Sequence, residues 1–155
     1  MKLKNIIWED FVNYKEPSMF LAFPSCTFKC GREYCQNAKL LNTPIHYIDS
    51  SNIIDRYNSN PITKAIVCGG MEPFDSFDEL EEFIYKLRFA YHCNDVVVIY
   101  TGYTEDEVGD KLQVLKPYKN IIIKFGRYIP NREGHYNELL GVVLASENQY
   151  AKKIS

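Results

Sequence analysis

The sequence predicts an α/β fold in which parallel strands alternate with helices. Short apolar segments typical of buried strands alternate with helical segments at least three times along the 155 residues. Most of these strands also run directly into a loop rich in cysteine, glycine or polar residues. Hydrophobic residues make up 46% of the chain and charged residues 25%, as in ordinary globular proteins. We therefore expect a single domain over residues 1–155.

The first strand of the predicted core follows a mixed segment at the start of the chain. Residues 1–16 combine apolar and charged side chains, and we expect an edge strand or hairpin there. The apolar segment 18–23 is bounded by Pro17 and Pro24. A brief apolar run between such punctuating residues predicts a buried strand.

Three further apolar runs predict the remaining strands of the sheet. They are residues 65–68, 96–101 and 121–124. The run at 96–101 is continuous and β-branched, which is typical of a parallel strand buried on both faces. A last apolar run at 139–145 leads to the sequence Ser146-Glu-Asn-Gln149 and a polar tail.

Helices are predicted between these strands from periodicity and capping residues. Residues 50–57 form a short helix with a serine at the N-cap. The spacing Ser76 to Glu79 is that of a capping box, and apolar residues follow at helical period up to Leu87. Thr104 to Glu107 repeats the capping-box spacing before a helix that ends at Pro117.

The unusual segments of the sequence all follow strands. In parallel βα folds the loops at the carboxyl ends of the strands face one shared crevice, where ligands bind. The segments concerned are the cysteine loop at 26–35, Gly69-Gly70, Thr101-Gly102-Tyr103, Gly126-Arg127 and Ser146. Their common position predicts a functional site at this edge of the sheet.

Charge and hydropathy exclude two classes of partner. The net charge is −2 and no stripe of lysine and arginine is present, so we expect no nucleic-acid binding, which depends on phosphate neutralisation. No apolar run approaches the roughly 18 residues that span a bilayer. The segment 1–10 becomes acidic before a signal-peptide core forms. We expect a cytoplasmic protein that does not bind membranes.

The cysteine loop carries the most distinctive chemistry of the sequence. Cys26, Cys30 and Cys35 lie within ten residues, and the total of five cysteines is odd, so a disulfide framework is the weaker interpretation. Three close thiols suit a [4Fe-4S] cluster that leaves one iron open. The cations that flank them, Lys29 and Arg32, favour the thiolate form.

Two other interpretations of these cysteines remain open. A zinc site needs a fourth ligand, for which His46, Cys68 and Cys93 are the candidates. Cys68 ends an apolar strand and is more typical of a small core residue, as is Cys93. Alternatively, the three thiols of the loop are simply reduced and packed.

The second candidate segment follows the strand at 65–68. Gly69-Gly70 allows the backbone to approach a ligand closely, and the carboxylate of Glu72 can pair with a ligand cation. A Gly-Gly pair after a strand is, however, often only a turn. Tyr34 is also a candidate, because it precedes Cys35 directly and is expected to point towards whatever that thiol holds.

Together these motifs resemble those of a known family. Cys26-x3-Cys30, the third Cys35 after an aromatic residue, and Gly69-Gly70-x-Glu72-Pro73 are similar to the cluster and methionine-binding motifs of radical S-adenosylmethionine enzymes. The chain departs from the family pattern in the loop 31–34, which places four residues where the family usually has two. It also carries an additional Met71.

Further motifs narrow the resemblance to the glycyl-radical activases of anaerobic ribonucleotide reductases. They are Cys35-Gln36-Asn37, the segments 100–104 and 126–128, and the segment 145–149. The resemblance extends from about residue 18 to residue 150. Phe125 stands where many members of the family have aspartate before the glycine.

The resemblance implies a fold, cofactors and roles for individual residues. The fold is a small, partial (open) parallel βα barrel. Cys26, Cys30 and Cys35 bind three irons of a [4Fe-4S] cluster, and S-adenosyl-L-methionine chelates the fourth. Gly69, Gly70 and Glu72 receive the methionyl amino group, Tyr34 lies near the adenine, and the weaker candidates Thr101 and Ser146 contact the ribose or the carboxylate.

The resemblance also implies a reaction and partners. Reduction of the cluster cleaves S-adenosylmethionine to a 5′-deoxyadenosyl radical, which abstracts hydrogen from a glycine of a large reductase subunit. The electron comes from a flavodoxin-like or ferredoxin-like donor. Two alternatives stay open: a cluster-binding or zinc-binding module that does not cleave the cofactor, and an activase of another glycyl-radical enzyme or of a peptide.

Overall fold

A six-stranded mixed sheet forms the centre of the computed structural model, which describes residues 1–155. The chain contains ten strands, two of which are only two residues long and pair with each other. The strands are Lys2–Leu3 (β1), Asn5–Asp10 (β2), Ser18–Phe23 (β3), His46–Tyr47 (β4), Ala65–Gly70 (β5), Val96–Tyr100 (β6), Ile121–Phe125 (β7), His135–Asn137 (β8), Val142–Leu144 (β9) and Tyr150–Lys153 (β10).

The main sheet has the order β10-β7-β6-β5-β3-β2 and is not closed. Its four inner strands, β3, β5, β6 and β7, are parallel to one another. The two outer strands, β2 and β10, run antiparallel to the strands beside them. The predicted α/β class is therefore confirmed, and the sheet is mixed, with parallel inner strands and an antiparallel strand at each edge.

Three α-helices connect the parallel strands. They are Ser50–Asn58 (α1), Phe77–Tyr85 (α2) and Gly109–Leu115 (α3). A turn of π-helix, Lys86–Ala90, continues α2, and shorter 3-10 turns occur at Arg32–Tyr34, Ala38–Leu40, Pro73–Ser76 and Asp106–Val108. The four predicted inner strands and the three helices between them are thus present, with their ends shifted by a few residues.

The helix caps differ in detail from the sequence prediction. The N-cap of α1 is Asp49, whose Oδ1 accepts a hydrogen bond from the Ser51 amide at 2.7 Å. Ser76 makes no side-chain cap bond, and Glu79 instead accepts from the backbone amide of Lys2. A carboxylate satisfies a free helical amide as well as a serine does, so sequence spacing alone did not identify the residue that caps each helix.

Apolar side chains cover both faces of the sheet, which explains the continuous apolar strands. On one face, alternate strand residues such as Ile66 and Ile99 pack in one cluster with residues of all three helices. On the other face, Val67 and Val98 pack against Tyr14, Leu140 and residues around them. A strand that is buried on both sides needs no polar alternation.

The end of the chain supplies an edge strand that the sequence did not predict. The polar segment β10 pairs with β7, with Tyr150 opposite Phe125 and Lys153 opposite Ile122. The apolar run at 139–145 contributes only β9, which pairs with β8 in a separate hairpin. None of the helices combines the length and the hydropathy that a bilayer crossing requires.

Candidate functional site

A cavity of about 260 Å³ lies at the carboxyl ends of the parallel strands. Its walls come from the cysteine loop, from the ends of β5, β6 and β7, and from the segment after β9. All the residues predicted for the site except Ser146 line this cavity. They are Cys26, Cys30, Tyr34, Cys35, Gly69, Gly70, Glu72 and Thr101.

The cysteine loop lies along one wall of the cavity with its three thiols free and partly buried. Gly31, at a φ of +87°, allows the chain to turn between Cys30 and the 3-10 turn Arg32–Tyr34, since L-residues rarely adopt this conformation. The three sulfurs share the cavity wall but do not form a group of three metal ligands. Their thiol chemistry and common cavity fit a thiophilic metal centre.

The environment of Cys26 differs from the one that its sequence neighbours suggest. Burial raises the pKa of the Cys26 thiol, and the carboxylates of Glu72 and Asp75 raise it further. The expectation that flanking cations favour the thiolate is therefore wrong for Cys26. Its sulfur accepts a hydrogen bond from the Phe28 amide at 3.2 Å, which lowers the pKa by less than burial raises it.

Gly70 is required by the packing of the backbone. Its φ is +86°, and a Cβ there would lie 2.7 Å from the Cα of Ala22 on the neighbouring strand. No side chain fits at that distance. Its carbonyl oxygen accepts a hydrogen bond from Asn37 Nδ2 at 2.5 Å, so the Gly-Gly segment also holds the chain that follows the cysteine loop.

Glu72 is a buried carboxylate with three donors from its own chain. Its Oε1 accepts from the Phe74 amide at 3.1 Å and from Thr101 Oγ1 at 2.8 Å, and its Oε2 accepts from the Gly102 amide at 2.9 Å. Burial nevertheless raises the pKa of the Glu72 carboxyl. Since a carboxylate offers about four acceptor positions, one position of Glu72, which lines the cavity, has no donor from the chain.

Ser146 is the predicted site residue that the structure does not bring to the cavity. It is fully buried, and its Oγ accepts a hydrogen bond from the Ile129 amide at 3.3 Å. Its own amide donates to Oε1 of Gln149, a residue that does line the cavity. The residue that reaches the cavity from this segment is therefore Gln149.

The sequence analysis missed Lys124, the buried cation of the cavity. It lies within the apolar strand β7, one residue before its end, and is 8% exposed. Its Nζ donates to the carbonyl of Gly126 at 2.8 Å. Burial lowers the pKa of Lys124 to about 8, against the attraction of Glu72. A lysine inside a buried apolar strand is rare, and that pattern was the available signal.

Arg127, a residue of the predicted Gly126-Arg127 loop, lines the cavity beside Lys124. Its Nη2 donates to Glu107 Oε1 at 2.7 Å. This ion pair and the Thr104 amide lower the pKa of the Glu107 carboxyl to about 2. The guanidinium is thus fixed by a carboxylate, whereas the Lys124 ammonium has no carboxylate bonded to it.

The cavity combines three thiols with charged and polar groups. Three thiols lie on one wall, and acceptor and donor groups from Glu72, Lys124 and Gln149 lie on the others.

No family model, curated protein or solved structure matched the chain. The interpretation of the site therefore depends on its motifs and its geometry.

Proposed function

We propose that the protein is a radical S-adenosylmethionine activase that generates a glycyl radical on an anaerobic ribonucleotide reductase. The observation that carries this proposal is that Cys26, Cys30 and Cys35 share one cavity with Gly70 and Glu72. These residues belong to two separate motifs of the family and are brought together by neighbouring parallel strands. The open sheet is in keeping with the partial βα barrel that the resemblance implies.

The donor set fits the implied cofactors. The three cysteines would hold a [4Fe-4S] cluster, because thiolates are the usual ligands of such clusters. When bound, the cluster and S-adenosylmethionine supply the radical chemistry, while the protein provides binding, orientation and exclusion of water.

The chain has groups for the two charged ends of the methionyl part of S-adenosylmethionine. The free acceptor position of Glu72 suits the amino group, and the ammonium of Lys124 suits the carboxylate. Tyr34, 51% exposed at the rim, offers an aromatic face to the adenine. Thr101 Oγ1 donates to Glu72 and accepts from the Tyr103 amide, so its role is to orient the carboxylate.

The size of the cavity favours a large partner. A volume of 260 Å³ lies just below the usual range of small-molecule sites, which begins near ~300 Å³. Part of a bound cofactor would then face outwards, where the reductase subunit covers it.

We assign the role of electron donor to a flavodoxin-like or ferredoxin-like protein. We assign the reaction to the cytoplasm.

Anaerobic reconstitution with iron and sulfide tests the proposal. We expect about four irons per chain, and formation of 5′-deoxyadenosine when dithionite and S-adenosylmethionine are added. Addition of the reductase subunit should give a glycyl radical detectable by electron paramagnetic resonance. Absence of deoxyadenosine from a fully loaded protein would refute the enzymatic proposal, and an inert reductase alone would favour an activase of another glycyl-radical enzyme or peptide.

A metal-binding module without cofactor cleavage is the second candidate. One observation favours it: the loop 31–34 is longer than in the family pattern. A zinc site would still need a fourth ligand, but none of His46, Cys68 and Cys93 lines the cavity. Stoichiometric zinc without sulfide in anaerobically purified protein would support this candidate.

A further inference from the structure

The first half of the cysteine loop is tied to two side chains from distant parts of the chain. The amide of Thr27, next to Cys26, donates to Asp75 Oδ2 at 2.7 Å. The hydroxyl of Tyr103 donates to Asp75 Oδ1 at 2.6 Å, and the hydroxyls of Thr27 and Tyr103 are 3.0 Å apart. Because the Tyr103 proton is directed to Asp75, the Thr27 hydroxyl is the donor to Tyr103. The three residues close a ring of hydrogen bonds.

The two distant members of this ring are fixed to the edge of the sheet. Asp75 lies in the 3-10 turn Pro73–Ser76 directly after β5. The Tyr103 amide donates to Thr101 Oγ1 at 3.0 Å, and its carbonyl accepts from the Gly126 amide at 3.1 Å. The ring therefore connects the cysteine loop to the segments that follow β5, β6 and β7.

Two cations, one of them next to Cys30 in the sequence, contact the aromatic ring of Tyr103, a member of this hydrogen-bond ring. The Lys29 ammonium lies 4.9 Å from the centre of the Tyr103 ring, and the Arg127 guanidinium lies 5.3 Å from it. Both cations face Glu107, with distances of 3.9 Å from Lys29 Nζ and 2.7 Å from Arg127 Nη2 to its Oε1. Cation–π contacts of this kind favour one position of the loop over others.

The second half of the cysteine loop lacks such connections. The backbone bonds of Gly31, Tyr34 and Cys35 are all local, to residues three positions earlier. The next tie to the sheet comes only at Asn37, which donates to Gly70. The ring thus acts on the half of the loop that contains Cys26 and Cys30.

We propose that Thr27, Asp75 and Tyr103 form a clamp that positions Cys26 and Cys30 for the metal centre. The clamp itself follows from the contacts described above, and only the identity of the group that the thiols bind rests on the proposed function. Tyr103 and Asp75 are positioning residues, because they act on the thiols through Thr27. The clamp leaves Cys35 and the longer loop 31–34 free to adjust to the bound group.

Thiol alkylation tests the clamp on the full-length, reduced, metal-free chain, so the result does not depend on whether a cluster forms. Tyr103→Phe removes the hydroxyl that bonds to both Asp75 and Thr27, and we expect it to increase the rate at which iodoacetamide modifies Cys26 by at least about fivefold, the effect of losing one such hydrogen bond. The rate at Cys35, measured in the same sample by peptide mass spectrometry, should stay unchanged. Thr27→Val alters an exposed residue and removes only the bond between the Thr27 and Tyr103 hydroxyls, so it should raise the Cys26 rate in the same direction, by up to about fivefold, even if Tyr103→Phe folds poorly.

Tyr57→Phe is the matched control. The Tyr57 hydroxyl donates to Asp95 Oδ2 at 2.6 Å, which is the same kind of bond at the opposite end of the sheet from the cysteine loop. We expect it to leave all three alkylation rates unchanged. Equal rates at Cys26 in Tyr103→Phe, Thr27→Val and Tyr57→Phe would overturn the clamp. A chain that takes up no cluster but shows the faster Cys26 reaction would refute the proposed function and keep the clamp.

Discussion

Arg88 and Lys124 are buried cations at opposite ends of the parallel sheet, and their partners differ. Arg88 donates to three backbone carbonyls, those of Lys119, Cys93 and Asp95, at 2.7 to 3.0 Å. Lys124 has three donor positions but donates to one carbonyl only, that of Gly126. The guanidinium at the amino end is satisfied within the chain, whereas the ammonium at the carboxyl end has capacity left for a ligand.

The two tyrosine–aspartate pairs differ in the same way. Tyr57 and Asp95 connect α1 to the segment before β6, and both belong to the framework of the fold. Tyr103 and Asp75 share their bonds with Thr27 of the cysteine loop. The Tyr57–Asp95 pair thus bonds only within the framework of the fold, whereas the Tyr103–Asp75 pair also holds the cysteine loop.

The largest expected effect is a loss of stability when Arg88, at the amino ends of the parallel strands, is replaced. Replacing Arg88 by alanine leaves three carbonyls without their donor, and the loss of charge-assisted hydrogen bonds should lower the free energy of unfolding by about 3 kcal/mol. Urea denaturation measures this change. A loss below about 1 kcal/mol would mean that water satisfies these carbonyls, and the contrast with Lys124 would then disappear.

The next largest effect is a loss of ligand affinity when Lys124, at the carboxyl ends of the parallel strands, is replaced. Lys124→Met removes a buried charge with a single internal bond, so we expect little loss of stability. The Kd for S-adenosylmethionine, measured by calorimetry on the reconstituted protein, should rise at least about tenfold, as expected for a charge-assisted bond of ~1.5 kcal/mol. Lys152→Met, which removes a surface partner of Glu105, is the control and should leave the Kd unchanged.

The smallest effect is a dependence of stability on pH. The pKa of Lys124 is about 8 in the folded chain and near ~10.4 when unfolded. The unfolded chain therefore binds more protons between these values, and the cost of burying the charge is present below pH 8 and is relieved as the pH rises.

The comparison of wild type with Lys124→Met isolates this contribution from those of tyrosines and cysteines. The stability of wild type relative to the variant should increase by about 1 kcal/mol between roughly pH 7 and pH 9. Parallel curves for the two proteins over this interval would show that the Lys124 ammonium is solvated.

The sequence allowed the inner sheet and most of the site to be predicted. Continuous apolar strands follow from burial on both faces, and parallel strands bring the loops after them to one edge. This geometry joins the cysteine loop, Gly69-Gly70, Glu72 and Thr101 without further information.

The features that could not be predicted from the sequence depend on contacts between residues that are far apart in the chain. The polar segment Tyr150–Lys153 is a strand only because β7 offers it an edge. Ser146 misses the cavity because the apolar run before it forms a hairpin strand, β9, rather than a strand of the main sheet. The role of Lys124 depends on its burial among side chains that are far away in the sequence, so local patterns did not identify it.

The iron and sulfide content of Cys35→Ala, compared with that of Cys68→Ala, tests the central claim most directly. Cys35 lines the cavity, while Cys68 is fully buried in the core, so the two variants remove the same atom from different environments. After anaerobic reconstitution we expect Cys68→Ala to retain about four irons per chain and Cys35→Ala to lose the stable cluster. A normal cluster in Cys35→Ala would contradict the account, because the third ligand would then be another residue.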